Sequence, residues 1–222
     1  MSARRAAAFD VGLALAFFLA CSSFEPMLDQ MLRRGSGLRG VLALAAYQFA
    51  CEGLILVLIV IGRREPLSKY GFTRQRIAGS LGLALVLAIV YDLGLSWHAG
   101  VPLWIPLGRH TATRLSLSLP LPLSLAGLAI TVAVWGFTEG AFGVFFARKV
   151  NDSLGNPGVG WLSPGAAAFA LFNGAIHLAI GQGWEGFITS AASGYAIGVI
   201  PAVTGNAWGS ALFQTLTNSL GH

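Results

Sequence analysis

Few residues in this chain could do chemistry, because only 10% of its 222 residues are charged. The clearest is Glu139, set in Ile130-Thr-Val-Ala-Val-Trp-Gly-Phe-Thr-Glu-Gly-Ala-Phe-Gly-Val-Phe-Phe146, with about two helical turns before Arg148. An apolar setting without a fixed cation disfavours the charged form of a carboxylate, which is how a general base is tuned to neutral pH. The plainer alternative is a neutral, hydrogen-bonded packing carboxyl. A charge in hydrocarbon costs at least about 2.5–3.5 kcal/mol, and that expense favours the functional reading.

His177 is the second candidate. It lies in the apolar run Phe169-Ala-Leu-Phe-Asn-Gly-Ala-Ile-His-Leu-Ala-Ile180, with Asn173 four residues earlier on the same helix face. Alone, it reads equally as a core histidine satisfied by Asn173 and as a proton carrier. Gln214 and Asn218 are the third feature, an i, i+4 amide pair able to aim two side-chain donors at one point. Such donors stabilise an oxyanion in a water-poor cavity. Spacing alone favours interhelical hydrogen bonding, worth about a kcal/mol or less. Glu52, in Tyr47-Gln-Phe-Ala-Cys-Glu-Gly53, is a further acid at depth and a candidate for the same cavity. Asp10, Glu25, Asp29 and Asp92 fall near span ends.

The elements that must position these side chains are membrane helices. Hydrophobic residues make up 55% of the chain and its mean hydropathy is +0.70. Soluble domains carry roughly 25% charged residues, so an ordinary soluble domain is excluded. Seven stretches approach the roughly 20 apolar residues that a spanning helix needs: about 7–24, 40–62, 77–96, 122–147, 164–181, 187–203 and 205–221. The expected fold is therefore an all-α polytopic bundle of about seven transmembrane helices, a single membrane domain over 1–222. The first run contains Asp10 and lacks a small-residue cleavage site before Phe24-Glu25-Pro26, so it reads as a retained span. Residues 97–120, with Pro102, Pro106 and Pro120, read as an outer loop with an apolar cap.

The net charge of +5 reflects topology rather than nucleic-acid binding, because the basic residues sit in short runs between apolar stretches. With the N-terminus inside, the inner side receives Arg4, Arg5, Arg63, Arg64, Lys69, Arg74, Arg76, Arg148 and Lys149. The outer side receives Arg33, Arg34, Arg39, Arg109 and Arg114. This balance favours an N-terminus inside. Gly136/Gly140, Gly194/Gly198 and Gly205/Gly209 have GxxxG spacing and read as helix-packing positions. Cys21 and Cys51 lie in apolar segments without CxxC or Cys/His spacing, and only His177 of the four histidines stands at a motif. Neither a metal nor a cofactor is expected.

On three helices the chain resembles the CPBP family, which groups CAAX prenyl proteases with bacteriocin-processing and abortive-infection membrane proteins. That family carries EExxxR, then FxxxH, then HxxxN/D. Here the first motif reads Thr138-Glu139-Gly-Ala-Phe142-Gly143, with threonine for the first glutamate and glycine for the arginine. The second keeps His177 with Asn173 at the phenylalanine position, and the third reads Gln214-Thr-Leu-Thr-Asn218. The flanks Glu65-Pro-Leu-Ser-Lys-Tyr-Gly-Phe72, Gly194-Tyr-Ala-Ile-Gly198 and Thr204-Gly-Asn-Ala-Trp208 are also similar to the family's, so the resemblance covers about residues 63–221.

The resemblance implies a CAAX-protease-like core in the bacterial cytoplasmic membrane. It also implies an intramembrane endopeptidase in which Glu139 is the base, His177 orients or carries a proton, and Asn218 donates to the oxyanion. Gln214, Asn173 and Thr138 are then the substrate- or oxyanion-binding positions. Two other functions stand beside this one: acid–base tailoring of a lipophilic small molecule, and a non-catalytic membrane partner protein. The expected partners are the bilayer and either a lipophilic small molecule or a membrane peptide, with no nucleic acid.

Overall fold

The computed structural model describes residues 2–23, 37–100, 111–155 and 160–219. Glu25, Asp29, Arg33, Arg34 and Arg109 lie outside the described residues, as does most of the 97–110 stretch. Every described element is helical. Helix α1 is Ala3–Ser22, α2 is Leu38–Arg63 and α3 is Ile77–Ala99. A short α4, Thr111–Leu117, precedes α5, Leu123–Leu154. Helix α6, Pro164–His177, is followed by α7, Gly183–Thr204, and α8 begins at Trp208–Gln214.

Five of the helical stretches are long and apolar enough to cross a membrane: Ala3–Ser22, Leu38–Arg63, Ile77–His98, Leu123–Leu154 and Pro164–Thr204. Helix α3 shows why they suit lipid. Leu85, Val86, Ile89, Val90 and Leu93 form an exposed stripe, whereas Ser80, Ala84, Ala88, Asp92 and Ser96, each four residues apart, are buried. The apolar side chains thus face outward and the small and polar ones inward, the reverse of a soluble helix. The chain is an all-α integral membrane protein.

The stretches expected at 164–181 and 187–203 form one hairpin. Gly181 at φ +86° breaks the helix, and α7 folds back along α6. Gly174 faces Phe187, Gly194 faces Ala170, and Gly198 faces Ala166 across that contact. The last stretch begins at Trp208 rather than near 205, and Trp208–Gln214 runs on into the wider turn Thr215–Ser219. Within the stretch read as an outer loop, α4 packs into the bundle: Ala112, Thr113 and Ser116 are buried against α5 and the start of α2.

The GxxxG positions work as packing contacts, with one exception. A Cβ at Gly136 would overlap the Thr215 side chain, and one at Gly140 would lie 3.0 Å from the Ala211 Cα. Gly205 instead ends α7 in the left-handed conformation at φ +72°. Two of the flanks picked out in the sequence meet directly. Ala207 N donates to Gly71 O at 2.9 Å, and Asn206 Nδ2 donates to the carbonyls of Thr73 at 2.9 Å and Gln75 at 2.7 Å.

One end of the bundle is closed by a buried ion network. Lys149, with a side chain only 2% exposed, lies 2.7 Å from Asp10 Oδ2 and 2.8 Å from Glu65 Oε2. Arg63 also pairs with Asp10 at 2.7 Å, and Lys69 bridges Glu65 at 2.6 Å and Asp152 at 3.2 Å. Four of the basic residues counted to one membrane side, Arg63, Lys69, Arg148 and Lys149, therefore cluster together. Burial alone would raise the Glu65 carboxyl above its ordinary 4.5, but hydrogen bonds from Lys149, Lys69 and Tyr70 outweigh burial and bring it down to about 2.

Two outcomes follow for stability. Lys149→Ala leaves the buried Asp10 with Arg63 alone and removes a cation from Glu65, and should destabilise the purified protein by about 3 kcal/mol, read as a lower melting temperature in detergent. Because the folded-state value of Glu65 is depressed, its contribution is whole above the ordinary carboxyl range and is lost as pH falls from 4.5 toward about 2. Melting temperature should drop over that window in the wild type, and Glu65→Gln should flatten the drop.

Candidate functional site

Each helix that carries a candidate side chain departs from the regular α-helix beside it. These departures are the π-turn Phe49–Leu54 in α2, the π-turn Val132–Thr138 in α5, the kink Leu178–Gln182 after α6, and the π-turn Thr215–Ser219 after α8. A π-turn adds one residue to the helical ring and rotates the side chains that follow, and such turns concentrate at functional sites. Glu52 lies inside the first, Glu139 directly follows the second, His177 directly precedes the third, and Asn218 lies inside the fourth. These turns are invisible in the residue pattern, because a single inserted residue barely disturbs an apolar run.

All four side chains line one cavity of about 480 Å³. Within it, Asn218 Nδ2 donates to Glu139 Oε2 at 2.8 Å. Gln214 is also within hydrogen-bonding reach of the Glu139 carboxyl. It is buried, and Ser193 Oγ donates to its Oε1 at 3.4 Å, which leaves the Nε2 end for Glu139. Of the i, i+4 amide pair, Asn218 hydrogen-bonds the Glu139 carboxyl and Gln214 lines the same cavity. Close packing makes this possible, since Gly136 and Gly140 let the Thr215 and Ala211 region approach α5.

The remaining candidates are placed differently. His177 lines the cavity at the end of α6, and its Nδ1 lies 2.8 Å from Gln182 Oε1. Its partner is thus Gln182 across the wider turn, whereas Asn173 Nδ2 donates to the Ser190 carbonyl at 2.9 Å and ties α6 to α7. Asn173 still contributes to the cavity wall. Thr138 does not line it; its hydroxyl donates to the Ala133 carbonyl at 3.0 Å within the π-turn. Gly143 stands where the resemblance puts an arginine, and an added Cβ there would meet Phe169 at 2.5 Å and Ile197 at 2.7 Å. That position is filled by packing, with no room for a side chain.

Glu52 belongs to the site. It is buried, lines the cavity and lies near enough to Glu139 for their charges to interact. The signal was its depth in an apolar run. Aromatic rings form the floor. Phe18 packs on Phe142 at 6.1 Å and on Phe172 at 5.4 Å, and Phe172 stacks on Phe146 at 5.2 Å. These rings separate the cavity from the ion network. No group of three or more His, Cys, Asp or Glu side chains is gathered for a metal among the described residues.

Comparison with protein families, curated proteins and solved structures finds no match to this chain.

The glycine contact yields a direct test. Gly136→Val should push Thr215 away from α5 and carry Asn218 off Glu139, while Gly62→Val, which has open space around it, should not. A cysteine pair at Gly136 and Thr215 is too disruptive to read this. Solvent labelling of Cys51, which lines the same cavity, reports it instead. Labelling should accelerate several-fold in Gly136→Val and stay at the wild-type rate in Gly62→Val.

Proposed function

We propose that this chain is an intramembrane enzyme, a divergent CPBP-type protein in which Glu139 acts as general base within a membrane-embedded cavity. The single observation that carries the reading is the 2.8 Å contact from Asn218 Nδ2 to Glu139 Oε2, with Gln214 and His177 on the same cavity. A carboxylate held by the Asn218 amide, with Gln214 beside it on the cavity wall, keeps a lone pair for a water or an acidic substrate proton. Once that proton moves, the amides are placed to accept the developing negative charge on the substrate. His177, paired with Gln182 at the cavity edge, is positioned to pass the proton outward.

By resemblance the reaction is peptide hydrolysis. A second reading, acid–base tailoring of a lipophilic small molecule, is favoured by the size and lining of the site. A cavity of about 480 Å³ floored by phenylalanines falls within the range of small-molecule pockets, roughly 300–1,000 Å³. In either case the protein would sit in the bacterial cytoplasmic membrane with its N-terminus inside. Seven membrane-embedded helical segments would then count α6, α7 and α8 separately.

Glu139→Gln keeps the shape and removes the base. Metabolite and peptide profiles of cells expressing the variant should match an empty-vector control, with expression and melting temperature near wild type. Asn218→Ala should cost less, on the order of 10²–10³ in rate for one lost oxyanion donor. Full activity of Glu139→Gln would make the carboxyl structural and leave the non-catalytic partner role in place of the enzyme.

A further inference from the structure

The second acid in the cavity has no work in the proposed reaction. Glu52 is 6% exposed and its Oε2 has no hydrogen-bond partner. The carboxyl interacts with Gln48, one turn earlier, and with the like charge of Glu139. Glu139 is served by amide donors from α8, yet nothing comparable reaches Glu52 Oε2. Among the described residues, no Lys or Arg lines the cavity. A buried carboxyl oxygen without a donor is costly, and one beside a second carboxyl more so.

What surrounds it narrows the missing partner. Phe18, Tyr47, Tyr91, Trp135 and Phe142 also line the cavity. Aromatic faces and carboxylates together are the surroundings in which organic ammonium groups bind, through ring quadrupoles and charge. A hard metal ion wants several oxygen ligands and would gain little from the rings.

We propose that the cavity takes a ligand carrying an organic cation, an amine or quaternary ammonium on an apolar body, with its positive nitrogen seated against Glu52. This assignment rests on the reading of Glu139 as the base, since it leaves that carboxyl free for the reacting proton. Glu52 is then the residue that selects the substrate. The apolar body lies against the phenylalanine floor, and the nitrogen fixes which carbon faces Glu139.

The test uses the full-length protein in lipid nanodiscs and two probes of equal shape. One is phenethyltrimethylammonium, and the other is its uncharged carbon isostere bearing a tert-butyl group. Calorimetric titration should give saturable binding of the cation and binding of the isostere about thirtyfold weaker or more. Glu52→Gln should erase that preference and Glu52→Asp should retain part of it. Glu139→Gln should keep saturable binding of the cation. Equal binding of the two probes to the wild type overturns the proposal and needs no variant to fold. Loss of the preference in Glu139→Gln but not in Glu52→Gln also overturns it, by assigning the cation to the other carboxyl. If the probes bind alike while Glu139→Gln still abolishes function, only the ligand class falls. If the cation binds through Glu52 while Glu139→Gln remains active, the enzyme reading falls and a cation-binding membrane protein remains.

Discussion

Lys149 is the fixed point of this bundle. Its ammonium, 2% exposed, contacts Asp10 of α1 and Glu65 beyond the end of α2 while its own helix, α5, carries the proposed base. In hydrocarbon, helix faces of similar apolarity slide past one another at little cost, so packing alone defines their register weakly. A buried ion pair does define it, because a shift of one turn would strand an unpaired charge. The consequence appears at the other level of the bundle. Ten residues separate Glu139 from Lys149 and eleven separate Glu52 from Arg63, about 15–17 Å along each helix. On α1, Phe18 lies eight residues beyond Asp10, about 12 Å, at the aromatic floor. The network at one end thus sets the height along the bundle at which the two carboxyls lie.

Between those levels the structure alternates polar and apolar layers. The phenylalanine layer keeps the network's cations apart from the cavity acids, and the acids in turn meet amides rather than ammonium groups. This separation matters for chemistry. A lysine beside Glu139 would hold it as a permanent ion pair and weaken it as a base. The three π-turns, in α2, in α5 and after α8, serve the same layer. Each occurs at the height of the cavity, where an ordinary helix would keep Glu52, Glu139 and Asn218 on the track fixed by their buried neighbours. One added residue per turn resets the direction of the next side chain and leaves the packed part of the helix undisturbed.

Much of this was legible in the residues, for physical reasons that differ from case to case. The spans were legible because a membrane helix must be apolar over its length, and Glu139 because ionised groups at depth are expensive. The Gln214 and Asn218 pair was legible as geometry but not as a purpose, since i, i+4 spacing says that two amides point together and not at what. Lys149 was counted only as a loop charge, because its position near a span end gives no hint that the chain folds Asp10 over it. The partner of His177 was misplaced for a similar reason. Asn173 shares its helix face, but the break at Gly181 brings Gln182 back to the imidazole while Ser190 claims Asn173. Thr138 followed from position in a motif, and the π-turn takes its hydroxyl for the backbone.

The departures from the family pattern then fit one another. An arginine at position 143 would need space that Phe169 and Ile197 fill, so the cavity cannot hold a cation on that side. A histidine at 214 could carry a proton, whereas the glutamine there is fixed, with Ser193 donating to its oxygen and its amide directed at Glu139. With no space at position 143 and a neutral amide at 214, the side chains that approach Glu139 from α8 are dipoles. Fixed dipoles cannot follow a proton, but they need no rearrangement when charge develops on a substrate, and a dry site gains most from that property. Glu52, arriving from α2 with one oxygen unpartnered, restores a charged group to the site on a different helix. Among the described residues no Lys or Arg lines the cavity, and the proposed ligand is the component that would bring its counter-charge.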